Sequence, residues 1–161
     1  MSFRVIAEAQ AQVLVDDTVE LFTPAIKIDE IRAVVQNLNC HVIPGKVIFQ
    51  GVLHKQIFFV NEDNTVRHQA VDIPFSGFVD IALAEPGQCC QLLPQIAFID
   101  FNLIDPLTLR EITVIDLTIR LLEGSPLENV FCSSAPIGVF RQDAPQVFVA
   151  KGAKAEFRRK G

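Results

Sequence analysis

Apolar and polar positions along the chain fall into strand-like runs divided by turn residues. The strongest run is Lys46 to Val60, KVIFQGVLHKQIFFV, whose β-branched and aromatic residues suit a pleated, buried surface. Thr65 to Ile73 repeats the character more weakly. Between them stand Asn61, Glu62, Asp63 and Asn64. Such residues tolerate left-handed backbone and bond their own main chain, so the pair of runs reads as a hairpin. With a four-residue loop, Val60 faces Thr65, which sets Ile57 opposite His68 and turns His54 to the other face. Phe58 and Phe59 are both expected in the core. Pro74 removes a donor and Ser76-Gly77 loosens the chain, which places Phe75 and Phe78 at a strand edge or corner.

The flanking segments follow the same logic. Phe3 to Ala9 and Gln12 to Phe22 read as an N-terminal arm and a first strand, with a kink or bulge at Asp16-Asp17 and a stop at Pro24. Ala25 to Leu38 carries Ile28, Ile31, Val34, Val35 and Leu38 at helical spacing. Its β-branched content favours a strand. Pro44-Gly45 is a turn dipeptide, and Glu85-Pro86-Gly87 meets the needs of a type II turn. Cys89 to Leu93 and Gln95 to Leu103 read as strands broken by Pro94, with a corner at Asp105-Pro106-Leu107. Leu109 to Glu123 then reads as one long strand, ended by Gly124-Ser125-Pro126. The remainder, through Pro136, Gly138 and Pro145 to Val147-Phe148-Val149, is loop-rich with one or two short strands. The expected fold is all-β: two antiparallel sheets packed as a sandwich or flattened barrel, with extended terminal arms. One domain spans residues 1–150, its N-terminal arm about residues 1–12, and a basic tail spans residues 151–161.

Composition sharpens this picture. Of 161 residues, 50% are hydrophobic and 20% charged, which is greasy for a chain of this size. No apolar run approaches the ~20 residues of a membrane helix, because Gln50, His54, Lys55 and Gln56 interrupt the longest one. The excess apolar surface is therefore expected in subunit contacts. A net charge of −5 provides no basic field for nucleic acid. The opening residues show no secretory pattern, so synthesis in the cytoplasm and initially reduced cysteines are expected.

Candidate chemistry is sparse. His41, His54 and His68 lie near the hairpin but do not converge as metal ligands must. Cys40-His41 are strand neighbours pointing to opposite faces, unlike a thiol protease dyad. The carboxylates are spread over turns and strand ends. No catalytic residue, cofactor site or metal site is expected, and no enzymatic activity. The cysteines are candidates for cross-linking: Cys89 and Cys90 first, since adjacent strand residues project oppositely and suit two different partners, then Cys40 and Cys132, which also suit buried small hydrophobes. The tail carries Lys151, Lys154, Arg158, Arg159 and Lys160 against Glu156, which is +4 and leaves the preceding 150 residues at −9. With Phe157 it forms a candidate subunit contact, a basic arm for an acidic body.

Gly45-Lys46-Val47, the run Gln50 to Val60, and Ile73-Pro74-Phe75-Ser76 followed by Phe78-Val79-Asp80-Ile81 resemble the SPOCS domain of spore-forming Firmicutes. The resemblance extends from about Val13 to Leu122. Phe59 departs from it, standing where the family usually has Tyr. What the resemblance implies is a structural role in the spore coat and no chemistry, because the shared residues are apolar or turn-forming. The expected function is a self-assembling structural protein of a spore or cell-surface layer or fibre, a coat or exosporium component or filament subunit. The alternative is a non-polymerising adaptor that binds protein or glycan in coat assembly. The expected partners are copies of itself and other spore coat proteins, with a final location at the spore surface or outside the cell.

Overall fold

The computed structural model describes residues 3–124, 130–132 and 147–152 of the chain. Its elements are all strands: β1 (Phe3–Glu20), β2 (Ala25–Ile43), β3 (Lys46–Asn61), β4 (Val66–Asp80), β5 (Cys89–Asp105), β6 (Thr108–Gly124), β7 (Val130–Cys132) and β8 (Phe148–Lys151). They form two antiparallel sheets, one in the order β1-β6-β5-β7 and the other β4-β3-β2-β8. The architecture is the sandwich of the two expected forms, not the closed barrel, because each sheet keeps its own edges.

Inward positions alternate along each long strand and meet between the sheets. β3 contributes Val47, Phe49, Leu53, Ile57 and Phe59, and β6 contributes Leu109, Ile115, Leu117, Ile119 and Leu121. Burial on one face fixes the register, since a slip by one residue would turn the whole apolar set to solvent. Ala25 to Leu38 is strand, as its β-branched content indicated.

Several local expectations need correction. The stretch expected as an N-terminal arm is the first half of β1, paired with β6 from Phe3 onward, and the bulge lies at Val5/Ala7 instead of Asp16-Asp17. Pro94 does not break β5, and Pro74 does not end β4. Among the described residues both stand where their strand has one neighbour only: β4 is an edge, and β7 covers β5 only over Cys89–Gln91. An edge tolerates a missing donor. Phe75 is buried and Phe78 exposed within the same continuous strand.

The central hairpin is closed by Asn61 N–H donating to the Thr65 carbonyl at 3.0 Å, one residue beyond the expected closure. The Asn61 side chain accepts from the amides of Asp63 and Thr65, and Asn64 takes a left-handed φ of 62°. This is the three-residue loop ending in a left-handed residue that hairpins commonly use. Val60 therefore pairs with Val66 and Phe58 with His68. Phe59 is fully buried, whereas Phe58 sits half-buried on the outer face between His68 and Arg32. The Pro44-Gly45 and Pro86-Gly87 turns form as expected, with φ of 75° and 96° at the glycines and Gln88 N–H donating to the Glu85 carbonyl.

Candidate functional site

The most unusual feature of the interior is a cluster of charge. Asp17 on β1 and Glu111 on β6 are direct cross-strand partners, both on the inward face of one sheet. Lys55 on β3 reaches across from the other sheet. Its Nζ lies 2.6 Å from Asp17 Oδ1 and 3.1 Å from Glu111 Oε2. The side chains of Lys55 and Glu111 are fully buried and that of Asp17 is 14% exposed. The Lys55–Asp17 contact is a hydrogen bond. The Lys55–Glu111 contact lacks hydrogen-bond geometry, so both Glu111 oxygens remain unsatisfied, as do Asp17 Oδ2 and the neighbouring Thr113 Oγ1.

Two carboxylates facing one ammonium leave an excess negative charge in a medium that tolerates none. Burial, reinforced by the Asp17 charge, pushes the Glu111 carboxyl up to about 7 against the opposing pull of Lys55. Burial also raises Asp17, again opposed by Lys55. A proton on Glu111 makes the cluster neutral. The expectation that carboxylates keep to turns and strand ends fails at these two mid-strand positions. Their inward parity with Ile115 and Leu117 was the available signal, as was the placement of Lys55 inside the longest apolar run.

Cys40 on β2 and Cys90 on β5 are joined by a disulfide that ties the two sheets together. The vicinal pair thus divides as alternation requires: Cys90 turns into the core toward Cys40. Cys89 is also disulfide-bonded, and the backbone register of β5 and β7 sets Cys89 opposite Cys132.

The histidines are on one face, which corrects the expected opposition of His54 and His68. His54 contacts Asp72 and His68 stacks on Phe58 with ring centroids 4.9 Å apart. Their paired positions are four residues apart along β3, roughly 13 Å at strand rise, too far for one ion. His41 lies near the other end of that face, opposite Ile48. Of the basic arm, Lys151 belongs to β8 and pairs with Glu30 of its own chain at 3.3 Å. Lys154, Phe157, Arg158, Arg159 and Lys160 lie outside the described residues.

The outer face of the β1-β6-β5 sheet carries a cross-strand apolar row. Leu14 pairs with Val114, and Val114 with Phe98. Leu14 is 67% exposed and Phe98 52%. Along β1 and β6 the row is flanked by the Asp16–Arg110 and Glu8–Arg120 ion pairs and by Gln12 bonded to Asp116.

Two antiparallel sheets and an inter-sheet cross-link define an all-β sandwich domain. Residues 24–104, half of the chain, match the family model of the SipL, SPOCS domain, and the chain belongs to that family. Membership places it with proteins associated with the spore coat. Comparison with curated proteins and with solved structures finds no match.

Proposed function

We propose that the protein is a self-assembling structural subunit of a spore or cell-surface layer or fibre, acting without catalysis and joining copies of itself and other coat proteins. The observation that carries this reading is the Leu14–Val114–Phe98 row. Three apolar side chains in register across three strands, bordered by charge pairs, have the form of a contact surface with an apolar centre and polar rim. Ile104, exposed at the end of β5, adds apolar surface on the same sheet. Light scattering and negative-stain images of purified protein test the proposal. Wild type is expected to form sheets, fibres or large oligomers, and Leu14→Glu with Phe98→Ser to remain small with an unchanged thermal transition. Wild-type protein that stays a monomer or dimer at high concentration would favour the adaptor reading instead.

A further inference from the structure

We propose that Lys55 and Asp17 condense to an amide bond between the two sheets, with Glu111 carrying the proton. The geometry supplies each requirement. The nucleophile, Lys55 Nζ, is held 2.6 Å from Asp17 Oδ1, so the carboxyl carbon lies one bond further on. Glu111 Oε2 is 3.1 Å from the same nitrogen, and it stands directly across the strand pair from Asp17. Lys55 and Glu111 are fully buried and Asp17 is only 14% exposed, so the site is largely shielded from solvent. Both Glu111 oxygens lack a hydrogen-bond partner, so among the described residues that carboxyl is held by its ion pair with Lys55 alone.

The step balances without a further reactant. Proton transfer from the Lys55 ammonium to the Asp17 carboxylate gives a neutral amine and a neutral acid, the forms that burial favours. The Nζ lone pair forms a bond to Cγ of Asp17 while the carbonyl electron pair moves onto oxygen, where the Glu111 acid proton stabilises it. Glu111 then takes a proton from nitrogen and passes one to the departing hydroxyl. The Cγ–O bond breaks, the carbonyl re-forms and one water leaves. Nothing is oxidised or reduced. In solution such a condensation is opposed by water. Here the partners are fixed by two packed sheets, and well-oriented intramolecular groups reach effective molarities on the order of 10⁵–10⁸ M. The product removes an ammonium and a carboxylate from the core and leaves Glu111 as a neutral acid beside an amide that satisfies it.

The test is the intact mass of the reduced, denatured full-length chain, followed by tryptic mapping. The wild-type chain is expected to be lighter than its sequence by the mass of one water. Digestion should yield a branched peptide joining residues 5–27 to residues 47–67, uncut at Lys55. Glu111→Gln, which keeps the size of the side chain and removes the transferable proton, should restore the full mass and normal cleavage at Lys55. Lys55→Met should do the same. Where the methionine variant does not fold, the wild-type mass and map still decide. Full mass after prolonged incubation of folded protein at neutral pH overturns the proposal. So does a branched peptide joining residues 47–67 to residues 111–120, which would make Glu111 the acyl partner, or a missing water that persists in Glu111→Gln.

Discussion

Glu111 shows what a single buried side chain does to the response of the whole domain. In the folded chain it keeps its proton up to about pH 7, while an unfolded chain releases it near 4.5. The folded state therefore binds more protons across that interval. Its stability is fully present below about pH 4.5 and declines as pH rises through 7. At about 1.4 kcal/mol per unit, the decline amounts to about 3 kcal/mol. Urea midpoints recorded from pH 5 to 8 should fall for wild type, and Glu111→Gln should lose that slope; parallel slopes would show that Glu111 ionises normally. Amide formation at Lys55 removes the cation that opposes protonation and leaves the sign unchanged. A second residue-scale prediction separates two adjacent rings. Phe59 is fully buried and meets Phe22 edge-on with centroids 5.6 Å apart, so Phe59→Ala should cost about 3–5 kcal/mol. Phe58→Ala, on the outer face, should cost under about 2 kcal/mol. Denaturant titration of the two variants distinguishes them. The sequence made both rings look like core because a run of apolar residues hides parity. Parity emerges only with the register, and the register depends on one loop residue.

At the level of elements, that loop is the central hairpin connection. Asn61 holds two backbone amides through its side chain and Asn64 takes the left-handed conformation. Asn61→Ala should cost about 1–2 kcal/mol, seen as a lowered thermal midpoint, while Asn64→Gly should change stability by less than about 1 kcal/mol. The hairpin itself was legible from four consecutive turn-forming residues. Its closing pair was not, because Thr65 supplies a carbonyl that any residue would supply. The long strands were likewise legible from β-branched content. The passage of β4 and β5 through their prolines was hidden, since it depends on which strands lie at the edge, a property of topology. The inter-sheet disulfide belongs to this scale too. Cys40 and Cys90 are separated by 50 residues, and closing a loop of that length restricts the unfolded chain by about 4 kcal/mol on the chain-entropy account. Cys40→Ser with Cys90→Ser should therefore keep a cooperative transition and lose up to that amount in a denaturant titration. A double variant without any cooperative transition would show that the bridge is a condition of folding.

At the scale of the whole molecule, charge is unevenly distributed along the chain. The chain is an acidic body followed by basic residues, and Lys151 is already engaged with Glu30 of its own chain. Removing residues 153–161 spares β8 and takes away Lys154, Arg158, Arg159 and Lys160 together with Glu156, a change of −3. Assembly followed by light scattering should slow and lose part of its salt dependence, because such charges chiefly steer encounter. Equal rates for both forms at low and high salt would remove the tail from the account. The structural class of the molecule was readable from its turn spacing and from the family pattern around the hairpin. The buried charge cluster was not, because its three members come from β1, β3 and β6 and meet only when two sheets close on each other.

Pro74 has a consequence for how copies of the domain can live side by side. Asn61 and Thr65 form a hydrogen-bonded pair, and the register of β3 and β4 continues without a shift. Alternation along such a pair turns the nitrogen of every even-numbered β4 residue away from β3. The missing donor at Pro74 therefore falls in the middle of the exposed row, between Asp72 and Ser76. A visiting strand finds two stretches interrupted at Pro74 in place of one continuous edge, which weakens that edge as a template for a merged sheet. Were copies to join by their outer faces as proposed, they would stay separate folded bodies, and a layer made of them could be dismantled by mild means and its units recovered without being refolded.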